Sequence, residues 1–277
     1  MHHPLFPLVV KTIKLMKSHL IQHKLTTVRD IFYMDVLLFA TQARCKQALE
    51  LVSHNLHSKL PDIGIVQSQK GLMYGNGIIY IDEVMTSWDY CNDAMLIPLH
   101  TKCRAINIDL VVIIEKDAVF KWVCTYVQRN RLAYNIIFIT GKGFPDNCTK
   151  NFVQSMVVAG NCPILAFVDA DVYGIYICKS FEIPSIHYGG MYLFDAIEQT
   201  LDIDHRERVL ITNLLIKLVD DYSIVSTIYK RELTRNLFLS KKAELNVCGS
   251  DQDLQIINYL LSKIESFKSK LIALNPN

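Results

Sequence analysis

The sequence predicts an α/β protein, α+β overall, in which a helical N-terminal region precedes a parallel sheet and a helical C-terminal part. Three observations carry this. Short β-branched runs at 108–114, 135–140 and 163–168 lack polar alternation, the signature of strands buried on both faces. Helix-length segments separate these runs, and strand–helix alternation makes a parallel sheet with right-handed crossovers. Before residue 60 and beyond about residue 190 the apolar pattern is mainly helical.

The 277 residues are enough for one large or two modest domains, and a hydrophobic content of 51% supplies a substantial core. No apolar run approaches the roughly 20 residues of a membrane span, so no membrane is expected. Pro4 and Pro7 interrupt the early apolar stretch and lysines follow at 11, 14 and 17, unlike a signal peptide. Eight cysteines are scattered without a Cys-x-x-Cys pair, which fits a reducing compartment better than disulfides or zinc. Net charge is only +2, but residues 11–70 hold nine Lys/Arg against four acids. That excess suits a phosphate backbone and equally suits a solvated basic surface.

In chain order, residues 8–24 form a first helix with Val9, Ile13, Met16 and Leu20 on its inward face. Thr27 and Asp30 have capping-box spacing at the start of a short helix, 28–35. A third helix spans 41–57, with Ala43, Ala48, Leu49, Val52 and Leu56 inward. Extended runs at 63–68, 72–74 and 78–81 are separated by Gly and Asn, a β-hairpin pattern. Three helices and a hairpin match a winged helix-turn-helix, a DNA-docking architecture. The first domain is therefore expected at 1–81, with 82–107 as an irregular connection. The second domain, 108–277, alternates strand 108–115, helix 116–129, strand 134–140, helix 147–159, strand 163–169, helix 173–181 and strand 183–188. Helices at 191–201, 204–220, 223–247 and 251–272 complete it.

The chemistry gathers at the strand ends, where ligands bind in open parallel sheets. The first run ends on Glu115, the second on Gly141-Lys142-Gly143, the third on Asp169-Ala170-Asp171. Carboxylates suit magnesium, which takes a few acids plus waters and phosphate; a single acid here would more often cap a helix. Asp169 and Asp171 face one way if the chain stays extended. The Gly-Lys-Gly loop lets a backbone approach phosphate ahead of a helix N-terminus, although it also fits any tight turn and lacks Walker A spacing. Tyr33 alone reads as a packing residue; as a nucleophile it would need activation, and Arg29, one turn earlier, could aid phosphate or phenolate. The pairs His19/His23 and His54/His57 have metal-like spacing but no third ligand, and read as surface or packing residues.

Together these residues resemble a known family. Arg29-Asp30-Ile31-Phe32-Tyr33 is similar to its catalytic tyrosine motif and Gln69–Tyr74 to its wing. Val112–Phe120, Thr140–Asp146 and Asp169-Ala170-Asp171-Val172-Tyr173-Gly174 resemble its three TOPRIM motifs, and Lys241–Leu245 is also family-like. The family is that of the topoisomerase VI A-subunit-like transesterases, and the resemblance is strongest to its eukaryotic, budding-yeast-type branch that initiates meiotic recombination. It implies a winged-helix domain followed by a TOPRIM-type domain. It implies transesterification by Tyr33, leaving a 5′-phosphotyrosyl link and a free 3′-hydroxyl, with Arg29 assisting. Mg2+ would be held by Glu115, Asp169 and Asp171, and DNA contacted by Lys70, Lys142 and Phe144. Implied partners are double-stranded DNA, a second copy of the chain on DNA, a topoisomerase VI B-like protein and other meiotic accessory proteins. A WD-repeat protein is implied only loosely, through Thr234–Leu239. The implied location is the nucleus, on chromosomes.

Two departures stand out. Val172 replaces the family's usual proline, with no ligand lost. The N-terminal extension common in relatives is nearly absent, so a partner surface is expected to be missing. Low net charge and the lack of an ATPase motif point to dependence on partners. A non-cleaving DNA-binding scaffold with the same fold is the competing reading; metal-dependent phosphohydrolysis, needing no tyrosine, is another.

Overall fold

The computed structural model describes residues 5–66, 68–81, 84–90, 93–98, 103–160, 162–246 and 252–274. The chain divides into two compact units, residues 1–69 and 70–277.

The first unit contains α1 (Phe6–Ile21), β1 (Thr26–Thr27), α2 (Val28–Met34), α3 (Val36–Phe39), α4 (Gln42–Asn55) and β2 (Ile65–Val66). Its core joins Leu8, Met16, Ile31, Phe39, Cys45, Ala48, Leu49 and Val52 with Ile63 and Ile65. The capping box is formed as expected: Asp30 N–H donates to Thr27 Oγ1 and Thr27 N–H to Asp30 Oδ2, both at 3.1 Å. Thr41 caps α4 through Arg44 N–H. The inward face of α1 differs from expectation. Leu8, Thr12, Met16 and His19 are buried, whereas Ile13 and Leu20 are 49% and 44% exposed. The stripe at spacings of four, four and three turns inward instead, and Val9, Ile13 and Leu20 line an open groove with Leu51 and Leu56 of about 480 Å³. In the third helix Ala48, Leu49 and Val52 are buried as expected, Cys45 replaces Ala43, and Leu56 lies past the helix end, exposed.

The second unit contains β3 (Leu72–Gly75), β4 (Gly77–Ile81), β5 (Val84–Trp88), β6 (Met95–Leu96), β7 (Cys103–Ile106), β8 (Leu110–Ile114), α5 (Asp117–Arg129), β9 (Ile136–Thr140), α6 (Asn147–Gly160) and β10 (Ile164–Phe167). It continues with α7 (Val172–Ser180), β11 (Ile186–Gly190), a 3-10 segment at Leu193–Gln199, β12 (Leu201–Asp202), α8 (His205–Lys217), α9 (Ile224–Leu239), β13 (Lys241–Lys242) and α10 (Gln252–Leu274). The main sheet runs β11-β10-β8-β9-β3-β6. Its first four strands are parallel, as expected, and β3 and β6 join antiparallel. Every residue of β8, β9 and β10 is buried. Alternation sorts them between two layers. Val111, Ile113, Ile137, Ile139, Ile164 and Ala166 enter a core with α6–α9. Leu110, Val112, Ile114, Ile136, Phe138 and Leu165 enter another with α5 and α10.

Four expectations are corrected here. The runs at 63–68, 72–74 and 78–81 do not form one hairpin: β2 pairs with β1, β3 with β9 and β6, and β4 with β5 and β7. Residues 72–81, expected to close the first domain, thus go with the second unit, because Leu72–Gly75 lies between β9 and β6 in the main sheet. The supposed connection at 82–107 carries strands β5, β6 and β7, and Tyr90 is buried within it, its hydroxyl donating to Tyr134 C=O at 2.8 Å. The helix expected at 223–247 stops at Leu239, where Ser240 turns left-handed (φ 57°) and Lys241-Lys242 pairs with β12.

Candidate active site

Strands β8 and β10 are parallel neighbours, Ile114 beside Phe167, so the residues that follow them emerge at one sheet edge. Glu115 N–H still donates to Phe167 C=O at 3.0 Å, and Glu115 Oε2 accepts from Asp169 N–H at 2.9 Å. Asp169 is 7% exposed. Its Oδ1 accepts from Leu245 N–H at 2.7 Å, and its Oδ2 pairs with Lys116 Nζ at 2.9 Å. Asp171 is the N-cap of α7, its Oδ1 accepting from Gly174 N–H at 2.7 Å. A Cβ on Gly174 would stand 2.3 Å from Asp169 C=O, so only glycine lets the helix start this close to the acid. Val172 occupies the first helical position and is buried; a proline is favoured there because its missing N–H has no helical partner, and the helix forms without it.

Burial dominates the electrostatics. It pushes the Glu115 carboxyl up to about 8, helped by the Asp169 charge, and pushes Asp171 up to about 6. Asp169 is also raised by burial, against the Leu245 N–H and Lys116, which favour its charged form. Burial disfavours the Lys116 ammonium, yet Asp169 and Glu244 hold its pKa above the usual value.

Three carboxylates of this kind are hard oxygen donors that fit Mg2+ in chemistry. Burial disfavours the ionised forms of Glu115 and Asp171, and a cation would favour them. Among the described residues, however, no three His, Cys, Asp or Glu side chains already gather as a metal cage. Each acid has one oxygen turned onto a backbone N–H, so a cation would bind with some rearrangement of side chains. Beyond the expected residues, the edge includes Lys116, Glu244, Glu207 and Lys242. Lys116 Nζ lies 3.1 Å from Glu244 Oε2, and Lys242 Nζ 2.6 Å from Glu207 Oε1. The sequence signal for them was slight: Lys116 adjoins Glu115, and Lys242 and Glu244 lie in the family-like Lys241–Leu245.

The Gly-Lys-Gly loop adjoins this edge, with Gly143 N–H donating to Glu115 C=O at 3.0 Å. Lys142 takes a left-handed conformation (φ 52°), and its Nζ stands 3.8 Å from Asp117 Oδ1. Phe144 is 49% exposed. Lys70 is brought to the same loop, its Nζ donating to Lys142 C=O at 3.4 Å. Asp146, not singled out from the sequence, makes this possible. Its Oδ2 accepts from Lys70 N–H (3.0 Å) and Gly71 N–H (3.2 Å), while its Oδ1 caps α6 through Thr149 N–H (2.8 Å). A Cβ on Gly71 would stand 2.0 Å from Thr149 Oγ1.

In the first unit, Tyr33 lies on α2 and is 57% exposed. The Arg29 guanidinium sits over its ring, 5.7 Å from the centroid, and Phe32 packs at 5.2 Å. Of the four histidines with metal-like spacing, His19 is buried and the other three are exposed. Cys45, Cys124, Cys148, Cys162 and Cys178 form no disulfide, and among the described residues no helix is long and apolar enough to cross a membrane.

Comparison with known proteins agrees with this layout. The family described as the Toprim domain of the topoisomerase 6 A-subunit/Spo11 proteins matches residues 110–264, and the type IIB DNA topoisomerase N-terminal family matches residues 5–65. The meiosis-specific protein SPO11 of Saccharomyces cerevisiae is 30% identical, over 91% of this chain and 72% of its own length. The meiotic recombination protein SPO11 of Mus musculus is 27% identical, over 87% of this chain and 66% of its own. The A3 subunit of DNA topoisomerase 6 from Oryza sativa is 31% identical, over 56% of this chain and 36% of its own. With a Toprim match across more than half its length and the type IIB topoisomerase match before it, the chain belongs to the topoisomerase 6 A-subunit/Spo11 family.

Proposed function

We propose that the chain is a type IIB topoisomerase-like DNA transesterase that forms meiotic double-strand breaks and so initiates homologous recombination. The observation that carries this reading is the buried carboxylate cluster at the sheet edge. Burial raises the Glu115 and Asp171 carboxyls, and the cluster lies beside an exposed loop of phosphate-binding character. Tyr33 is the nucleophile. Its Oη bonds to the phosphorus of a DNA phosphodiester and the bond to the 3′ oxygen breaks. The phenolic proton passes to solvent, and the leaving oxygen takes up a proton to become a 3′-hydroxyl. Arg29 offers its guanidinium to phosphate at the same place. Glu115, Asp169 and Asp171 hold Mg2+, which when bound neutralises charge on the phosphoryl group and leaving oxygen. Lys70, Lys142 and Phe144 contact the DNA. The domain that docks it is the first unit, residues 1–69, and the metal-holding acids lie in the second, residues 70–277.

Cutting both strands needs two tyrosines, so the working form is a dimer of this chain on double-stranded DNA, assembled with a topoisomerase VI B-like protein and meiotic accessory proteins. The setting is the nucleus, on chromosomes. A WD-repeat partner would use Thr234–Leu239, where Phe238 is 87% exposed.

The test is covalent capture. After denaturation, DNA 5′ ends should remain attached to the wild-type chain and be absent from Tyr33→Phe, with Glu115→Gln losing them in Mg2+. Attachment that persists in Tyr33→Phe would assign the nucleophile elsewhere. Normal DNA binding and partner assembly without any covalent product would favour a non-cleaving scaffold.

A further inference from the structure

We propose that Asn236 is a positioning residue for the cleavage reaction: its side-chain amide holds the peptide between Asp169 and Asp171 and so keeps the two carboxylates together at the sheet edge. This rests on the reading that those acids serve DNA cleavage.

Asn236 lies on α9, close to the exposed Phe238, but is itself 1% exposed. A buried amide must find partners, and this one finds two. Its Nδ2 donates to Ala170 C=O at 2.9 Å and to Lys241 C=O at 2.8 Å. Both amide hydrogens are then used, and two carbonyl acceptors fix which end of the amide faces them. The Ala170 carbonyl depends on this contact. The bridge between Ala170 and Ala243 is uneven: Ala170 N–H donates to Ala243 C=O at 2.8 Å, but Ala243 N–H stands 3.4 Å from Ala170 C=O, beyond the usual range. Asn236 is the closer donor.

The two carbonyls belong to the two stretches that carry the site. Ala170 separates Asp169 from Asp171. Lys241 opens the stretch that runs to Leu245, whose N–H holds Asp169 Oδ1. One side chain thus ties the acid-bearing turn to the segment that holds its first acid. Besides burial, the Asp169 charge raises both the Glu115 and the Asp171 carboxyls, so the three sit within electrostatic reach. Leucine is close to asparagine in size and has no donor. Asn236→Leu therefore fills the same place and leaves both carbonyls without the amide.

Two measurements on the full chain test this. Amide hydrogen exchange follows the Asp169, Ala170 and Leu245 N–H groups, which donate to Glu115, Ala243 and Asp169. In Asn236→Leu they should exchange about tenfold faster, while β8 and β9 keep their wild-type rates. The rate of covalent attachment to DNA 5′ ends, at saturating DNA, should fall about tenfold or more, with DNA affinity unchanged. Leu214→Ala, a cavity on α8 in the core that α9 shares, is the control for lost stability. It should speed exchange at the three groups no more than elsewhere in the unit and leave the attachment rate of the folded chain as in wild type. Asn236→Ala is read in the same way if Asn236→Leu does not fold. Unchanged exchange at the three groups, or faster exchange with an unchanged attachment rate, would overturn the proposal, as would equal losses in Leu214→Ala. If wild type forms no covalent product, the cleavage reading fails, and the exchange rates alone decide whether Asn236 holds the acids.

Discussion

Glu115 shows how one residue's environment becomes a measurable property of the protein. Its carboxyl leaves water for the end of a buried strand and accepts the Asp169 N–H. Burial raises it to about 8 from an ordinary 4.5, and Asp171 rises likewise to about 6. A raised folded-state value means the folded chain prefers the protonated acid. The stability tied to it is fully present below the unfolded value and is lost as pH climbs through the folded one. Without metal, the melting temperature should therefore fall between about pH 5 and pH 8. Mg2+ favours the ionised form and displaces the proton, so its stabilisation should grow over the same window. Melting curves at several pH values, with and without Mg2+, check this. A Glu115→Gln chain that keeps the full metal-free slope would place the titration elsewhere. Tyr33 differs. It is exposed and held by Arg29 and Phe32 rather than by the core, so Tyr33→Phe should shift stability by no more than about 0.5 kcal/mol while removing the covalent product.

At the scale of elements, the site is built from ends: two strand ends, a helix cap and two loops. Asp146 ties two of these together, capping α6 with one oxygen and clamping the Lys70-Gly71 backbone with the other. Asp146→Ala removes the cap and strands three N–H groups, a loss of about 2–3 kcal/mol. It should also free Lys70 from the Gly-Lys-Gly loop. Urea unfolding reads the first effect; a shallower salt dependence of DNA binding reads the second. Unchanged DNA binding in a destabilised Asp146→Ala chain would separate Lys70 from the interface. These elements also show what sequence could reveal. Strands β8, β9 and β10 were legible because double burial demands unbroken β-branched runs, and their acids followed from where such strands end. The capping box of α2 was legible because both partners lie within one turn. Asp146, Lys116 and Glu244 were not, because their hydrogen bonds span 76 and 128 residues. Nor was the α1 face, where Thr12 and His19 go inward and better apolar candidates stay out. The strands within 82–107 were missed because they are short and interrupted, and pairing with β4 and β3 rather than their own pattern makes them strands.

The whole molecule consists of two units, each with its own core. Ile31, Phe39, Ala48 and Leu49 close the first; the second is a sheet covered on both faces. On the proposed function, the nucleophile belongs to one unit and the carboxylates to the other, so cleavage needs both folded and brought to one phosphate. That division makes assembly on DNA the natural point of control. It also predicts how the chain unfolds, since units with separate cores unfold as separate cooperative transitions. Leu49 and Phe138 are fully buried, one in each unit. Truncating either to alanine should cost its own unit about 3 kcal/mol or more. Calorimetry of the wild-type chain should then resolve two transitions. Leu49→Ala should lower the smaller one, which belongs to the 69-residue unit, and Phe138→Ala the larger. If both substitutions move one shared transition, the units fold as a single cooperative body, and control by assembly would have to act on the chain as a whole.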